Sequence, residues 1–256
     1  LLHLWFSVPL IRFSRPFSRG NYFFLFVEYI PTIIRTALLS VALFMLLLGL
    51  TLTFSRTGWV LAGGMLFIFS MYWLFSVHRL QAIKLVCTAL ASLVLIFLFF
   101  KPFIVSRAGV SVGEPAVVER AAYLRIGFTM LAHHPIGIGV GNSVLYARES
   151  GLYQRYGFEK PWFFQPIHNI YVLSATEIGI VGALSFAGFL LFVIGGGLRV
   201  LYARCGDVAL MSVLLVLGAL LLFGLTDHFL WTLEQGRLLL WLTLGLLLGL
   251  TQTKKF

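Results

Sequence analysis

Apolar residues in this chain fall into long runs, separated by short polar turns and by one long polar stretch. A run of about 20 apolar residues in helical form crosses the hydrocarbon layer of a bilayer. Residues 36–54, 58–77, 82–100, 170–194, 208–225 and 233–250 are runs of this kind. Only Ser55, Arg56 and Thr57 separate the first two, which predicts a tight hairpin. The last run carries Glu234 and Arg237 in its first turn. Between residues 101 and 169 the apolar pattern collapses. The expected fold is therefore all-α: a polytopic transmembrane helical bundle of about six spans with one long loop. Residues 36–256 make up that domain, with the loop at 101–169. Residues 1–35 include an aromatic stretch at 21–34 that is too short to span, and they read as a partly interfacial N-terminal fragment. The chain opens on Leu1 with no signal-peptide plan, as expected of the C-terminal part of a longer protein.

The long loop has a pattern of its own. Val117, Ala121, Leu124, Phe128 and Leu131 recur at helical spacing, with Glu119, Arg120 and Arg125 off that stripe. An amphipathic helix is expected there, lying on the membrane face or the bundle top. It should stop at His134-Pro135, because proline disfavours helical geometry in the residue before it. Gly137, Gly139 and Gly141 then predict a flexible turn. They are a weak nucleotide signal, lacking both a preceding strand and a P-loop lysine. Tyr146, Tyr153, Tyr156, Phe158, Trp162, Phe163 and Phe164 follow. Aromatics this dense suit an interfacial belt or local packing, or alternatively a platform for sugar rings.

Composition supports the membrane reading. Hydrophobic residues make up 60% of the 256 and charged residues 11%, whereas soluble domains carry roughly 25% charged. Mean hydropathy is +0.97. The net charge of +10 does not point to nucleic acid, since no basic stripe lies on a soluble surface. The basic residues instead flank spans. Arg12, Arg15, Arg19, Arg35, His78, Arg79, Lys84, Arg199, Arg204, Lys254 and Lys255 share one side if the spans alternate. The positive-inside rule makes that side cytoplasmic. The 55–57 turn, the long loop and residues 227–234 then face outward. Cys87 and Cys205 have neither CxxC spacing nor histidine neighbours, so neither a disulfide framework nor a zinc site is expected.

Few residues remain for chemistry. His168 stands at the outer mouth of the fourth span, where an imidazole with its ordinary pKa can accept a proton from a hydroxyl. Asn169 beside it can cap the helix that follows. Arg56 sits in the outward hairpin, and a guanidinium matches phosphate oxygens bidentately; the alternative is an arginine snorkelling to headgroups. Arg120 and Arg125 lie on different faces of the loop helix, so at most one serves a shared site. Glu177 lies two turns inside the fourth span, where a carboxylate is functional or ion-paired with an arginine. His133-His134 is adjacent rather than i,i+4 and does not suit zinc. Asp227-His228 reads as interfacial.

Three motifs in order carry a resemblance. The stretch Thr53-Phe54-Ser55-Arg56-Thr57-Gly58-Trp59 resembles the hairpin of the O-antigen ligase and polymerase family. Arg120 followed by His134-Pro135-Ile136-Gly137-Ile138-Gly139-Val140-Gly141-Asn142 is similar to its second motif. His168-Asn169-Ile170-Tyr171, with Glu177-Ile178-Gly179-Ile180-Val181-Gly182, is similar to its third. The resemblance implies a glycosyltransferase of the bacterial inner membrane with its site facing the periplasm. The donor would be a glycan on undecaprenyl diphosphate, and the acceptor a hydroxyl of lipid A core, a growing glycan or a protein. It further implies that Arg56 and Arg120 bind the donor diphosphate and that His168 is the general base. Ser55, Asn169 and Glu177 would support them. No cofactor, metal or nucleic acid is expected. The chain departs from the family in lacking its N-terminal spans. Two other readings compete: a lipid-linked glycan transporter, and a non-catalytic membrane subunit. Transporters place polar residues at the midplane of broken helices, whereas these spans carry few.

Overall fold

The computed structural model describes residues 32–75, 79–109 and 113–252. The interfacial stretch expected at 21–34 lies largely outside them, as do Arg12, Arg15, Arg19, His78, Lys254 and Lys255. Every regular element among the described residues is helical. Four of the helices are long and apolar enough to cross a membrane: Ile34–Leu52, Arg56–Leu74, Arg79–Arg107 and Ile170–Ala203. This is an all-α, multi-pass membrane fold. The chain divides into two compact units, one of Leu1–Trp59 with Leu66–Ala108, the other of Val60–Met65 with Gly109–Phe256.

In the first unit, α1 (Thr32–Leu52) and α3 (Arg79–Ala108) pack together, and α2 (Arg56–Leu74) follows α1 after a turn. The turn is closed by side chains. Ser55 caps α2 by accepting from the Gly58 N–H at 3.1 Å, and the Trp59 indole donates to the Leu50 carbonyl at 3.0 Å. Phe54 takes a positive φ of 53° to make the reversal. Arg56 is thus the first residue of a helix rather than a mid-turn residue. Helix α3 runs on through Lys101 and Pro102 to Ala108, past the expected end of the span at Phe100. Outward-facing Phe75, Leu98 and Phe99 are exposed, as suits helices solvated by lipid.

The second unit contains α4 (Pro115–His133), α5 (Ser143–Glu149), α6 (Leu152–Arg155), the 3₁₀ turn Pro161–Phe163, α7 (Ile170–Ala203), α8 (Val208–Phe223), α9 (Phe229–Thr232) and α10 (Glu234–Gln252). Helices α7, α8 and α10 share an aliphatic core that includes Leu190, Leu210, Leu217, Leu244 and Leu247. Arg204 closes it at one end by donating to the last carbonyls of α10, with Nη1 2.8 Å from Leu250 O. The fifth expected span is α8, whose 16 residues reach about 24 Å, against about 30 Å of hydrocarbon. The sixth is α10, which opens on Glu234 and lies outside the four apolar helices named above.

One expectation needs correction. Helix α4 ends at His133 as expected, but its buried face is Tyr123, Ile126, Gly127 and Met130. Val117 and Phe128 of the expected apolar stripe are exposed, while its Leu124 packs against the loop's core. Of the readings open to the aromatic run after Gly141, local packing is the one most of it takes. Tyr123 stacks on Phe158 with ring centroids 4.6 Å apart, and Tyr153 stacks on Phe164 at 4.8 Å. Their hydroxyls donate to the carbonyls of Phe163 and Gln165. Trp162 alone stays largely exposed, with Lys160 Nζ 5.2 Å from its ring centroid.

Helix α7 holds a break that the sequence pattern does not show. Gly179 has φ 78° and ψ 169°, outside helical geometry, between two helical stretches of the same element. The glycine turn after α4 fills the gap. Ile138 N–H donates to Thr176 O at 3.0 Å, Gly139 N–H to Glu177 O at 3.0 Å, and Ile180 N–H to Pro135 O at 2.9 Å. These are backbone groups that the interruption would otherwise leave unpaired. The turn expected to be flexible is therefore latched. Gly137, Gly139 and Gly141 all take positive φ, which glycine adopts without steric cost.

Candidate active site

The site is assembled where the start of α7 meets the connection between α8 and α9. Asn169 is the N-cap of α7: its Oδ1 accepts from Tyr171 N–H and Val172 N–H, both at 3.0 Å. Its Nδ2 donates to Leu225 O at 3.0 Å, and Ile170 N–H donates to Gly224 O at 2.8 Å. A Cβ at Gly224 would lie 2.5 Å from Ile170 Cδ1, so a larger residue there would make the Ile170 side chain shift. Tyr171 adds a third tie through its hydroxyl, which donates to Leu221 O at 2.8 Å. The connection is in this way stitched to α7, and Asp227 and His228 are drawn up to His168.

His168 is half-buried between two rings. One is Tyr123 of α4, stacked at 5.0 Å and 19°. The other is His228, edge-on at 4.8 Å and 89°. His168 Nδ1 lies 3.0 Å from Pro166 O. A carbonyl only accepts, so Nδ1 carries the hydrogen and the neutral ring keeps its lone pair on Nε2. Burial lowers the pKa of His168 first, and His228 and then Arg120 lower it further, while Asp227 and the Pro166 bond oppose them. The residue is therefore held neutral and able to accept a proton. His228 is lowered in the same direction by burial, against Asp227. Burial and Glu119 push the Tyr123 hydroxyl up to about 12, so it remains a donor.

Arg120 lies one turn before Tyr123 on α4 and acts electrostatically on His168. Like Arg125, it is exposed. Glu177 is buried, but its partner is not an arginine: Oε2 accepts from the Trp231 indole N–H at 2.8 Å. That bond ties α9 to α7 just before the break at Gly179. His134 is held by Tyr146, whose hydroxyl oxygen lies 2.7 Å from Nε2. Arg56 and Ser55 belong to the first unit, where Arg56 Nε donates to Arg107 O at 2.6 Å. His168, Asn169, Arg120 and Glu177 all belong to the second.

Sequence reasoning missed His228. Read along the chain, Asp227-His228 is a polar pair at the end of a span, with no partner in sight. The pairing depends on the Ile170 N–H to Gly224 O bond between distant segments, which no local pattern signals.

A family model described as O-antigen ligase matches residues 41–187, more than half of the chain. The matched segment takes in Arg56, Arg120, His168 and Glu177, and ends before Asp227 and His228. No curated protein and no solved structure matches the chain.

Proposed function

The chain belongs to the O-antigen ligase family, and from that premise we propose that it transfers a glycan from undecaprenyl diphosphate to an acceptor hydroxyl at the periplasmic face of a bacterial inner membrane. The observation that carries this reading is the state of His168: a half-buried imidazole whose Nδ1 is engaged by Pro166 O and whose Nε2 keeps the lone pair. Such a ring takes the acceptor proton as the acceptor oxygen attacks C1 of the donor sugar. The bond between C1 and the diphosphate oxygen breaks, and its electron pair leaves with the diphosphate. Attack opposite the leaving group inverts C1.

Diphosphate is already a good leaving group, so the protein has chiefly to stabilise charge and align the hydroxyl. Arg120 supplies a cation beside His168. Arg56 would bind the donor diphosphate as well, as the likeness of its hairpin to the family's motif implies. Neither step calls on a metal or cofactor. Synthesis of a repeating glycan by the same chemistry is the second reading, since a growing glycan also ends in hydroxyls. The two readings differ only in acceptor.

The test is to supply purified protein in lipid with an undecaprenyl-diphosphate glycan and, separately, lipid A core, free glycan and a protein acceptor. Ligation to core supports the first reading and chain extension the second. Intact donor with every acceptor, from a folded protein, contradicts both. Arg56→Ala separates an enzyme from a scaffold: an enzyme loses donor binding, whereas a scaffold does not.

A further inference from the structure

We propose that His228 is a second functional histidine of this site, a positioning residue that acts through His168. The inference rests on placement. Four contacts hold the 221–231 connection against α7: Tyr171 to Leu221, Ile170 to Gly224, Asn169 to Leu225 and Trp231 to Glu177. Their common result is one ring pair, His168 and His228, at 4.8 Å. His228 is itself oriented, with Nδ1 2.7 Å from the Thr232 hydroxyl oxygen. The Asp227 carboxylate, just before His228 at the N-cap of α9, accepts from Phe229 N–H at 3.0 Å.

The charged and titratable groups facing this pair are Arg120 and Tyr123 from α4 and Asp227 from the connection. Two protonated imidazoles this close repel each other, and Arg120 adds to that repulsion. Burial already disfavours the first proton on either ring, the second is harder still, and the midpoints belong to the pair. His228 thereby does two things. Its ring seats His168 by packing edge-on against it, in addition to the Tyr123 stack, and its proton competes with the one His168 would bind before the acceptor arrives. The Asp227 charge acts the other way and favours a proton on His168.

This proposal bears on transfer only through the role given above to His168, but its test does not depend on transfer. Diethyl pyrocarbonate modifies neutral imidazoles, and peptide mass spectrometry reads the modification residue by residue. Labelling of His168 against pH in the purified wild-type protein, without donor or acceptor, should show a midpoint below 6.5, the ordinary imidazole value. His228→Asn keeps a polar group near Thr232 and removes the second charge; it should move the His168 midpoint upward by about half a pH unit or more. By reciprocity, His168→Asn should raise the His228 midpoint. His228→Phe keeps the ring and tests seating separately: His168 labelling should stay slow, whereas it should accelerate in His228→Asn. Unchanged midpoints in both reciprocal variants overturn the proposal, even if the wild type proves an active transferase. Shifted midpoints in a protein that transfers nothing uphold the pairing and count against the proposed function alone.

Discussion

Gly179 and Gly137 face each other backbone to backbone, at φ 78° and 95°, and neither has room for a side chain. A Cβ on Gly137 would lie 2.6 Å from both Glu177 O and Gly179 N, and a Cβ on Gly179 would collide with Ile136 O. The latch between the α4–α5 turn and the break in α7 depends on this close approach. It lies next to Glu177, whose carboxylate holds Trp231 and through it the connection bearing His228.

Gly179→Ala should therefore be strongly destabilising. Its φ and ψ lie in a region essentially reserved for glycine, at a cost of about 1–3 kcal/mol before the collision is counted. Gly188 lies in the same helix and has open space where a Cβ would go. Gly188→Ala should be neutral or stabilising by about 0.5–1 kcal/mol. Thermal unfolding in detergent should separate the two, and equal midpoints would count against the latch.

The Glu177–Trp231 bond predicts an asymmetry. Trp231→Phe removes the donor and strands a buried carboxylate, which costs about 1–3 kcal/mol or more. Glu177→Gln retains an acceptor oxygen and should cost less. The ranking is read from the same unfolding experiment, and the reverse order would contradict the assigned bond.

Transfer should depend on pH in a direction set by burial. His168 is lowered from its ordinary value of 6.5, mainly by desolvation. Its neutral form thus persists to lower pH than that of an exposed histidine and is lost as pH falls through the lowered value. The acid limb of kcat/KM should accordingly lie below 6.5. In Arg120→Asn, which removes a cation that disfavours the imidazolium, the limb should move toward higher pH. An acid limb above 6.5 in the wild type contradicts the environment assigned to His168.

Arg120 should also matter to donor affinity. Charge-assisted hydrogen bonds are worth about 1.5–3 kcal/mol, or roughly ten- to hundredfold in binding. Arg120→Ala should weaken donor binding on that scale, and Arg125→Ala should not. Binding of labelled donor to the purified variants checks this.

Much of the fold was legible because its signals are local. Long apolar runs give the four apolar helices, His134-Pro135 gives the end of α4, and Asn169 is a helix cap in sequence and in structure. What stayed hidden depends on contacts between distant segments. The break at Gly179 is invisible in a hydropathy run, because neighbouring backbone rather than side-chain polarity makes it tolerable. The inward face of α4 is hidden in the pattern because Gly127 carries no apolar side chain, yet a Cβ there would lie 2.7 Å from Val172 Cγ1. His168 is visible by position and motif, whereas His228 reaches it only through the contact of Gly224 with Ile170.

The central claim is that His168 accepts the acceptor proton during glycan transfer. General-base catalysis contributes typically 10²–10⁴-fold. The most direct measurement is the initial rate of glycan transfer by purified His168→Ala beside wild type, on a defined undecaprenyl-diphosphate donor, with matched thermal unfolding of both proteins. The account predicts a rate lower by about 10²-fold or more, near-normal unfolding, and a wild-type product inverted at C1. A folded His168→Ala protein that transfers at near the wild-type rate would contradict it.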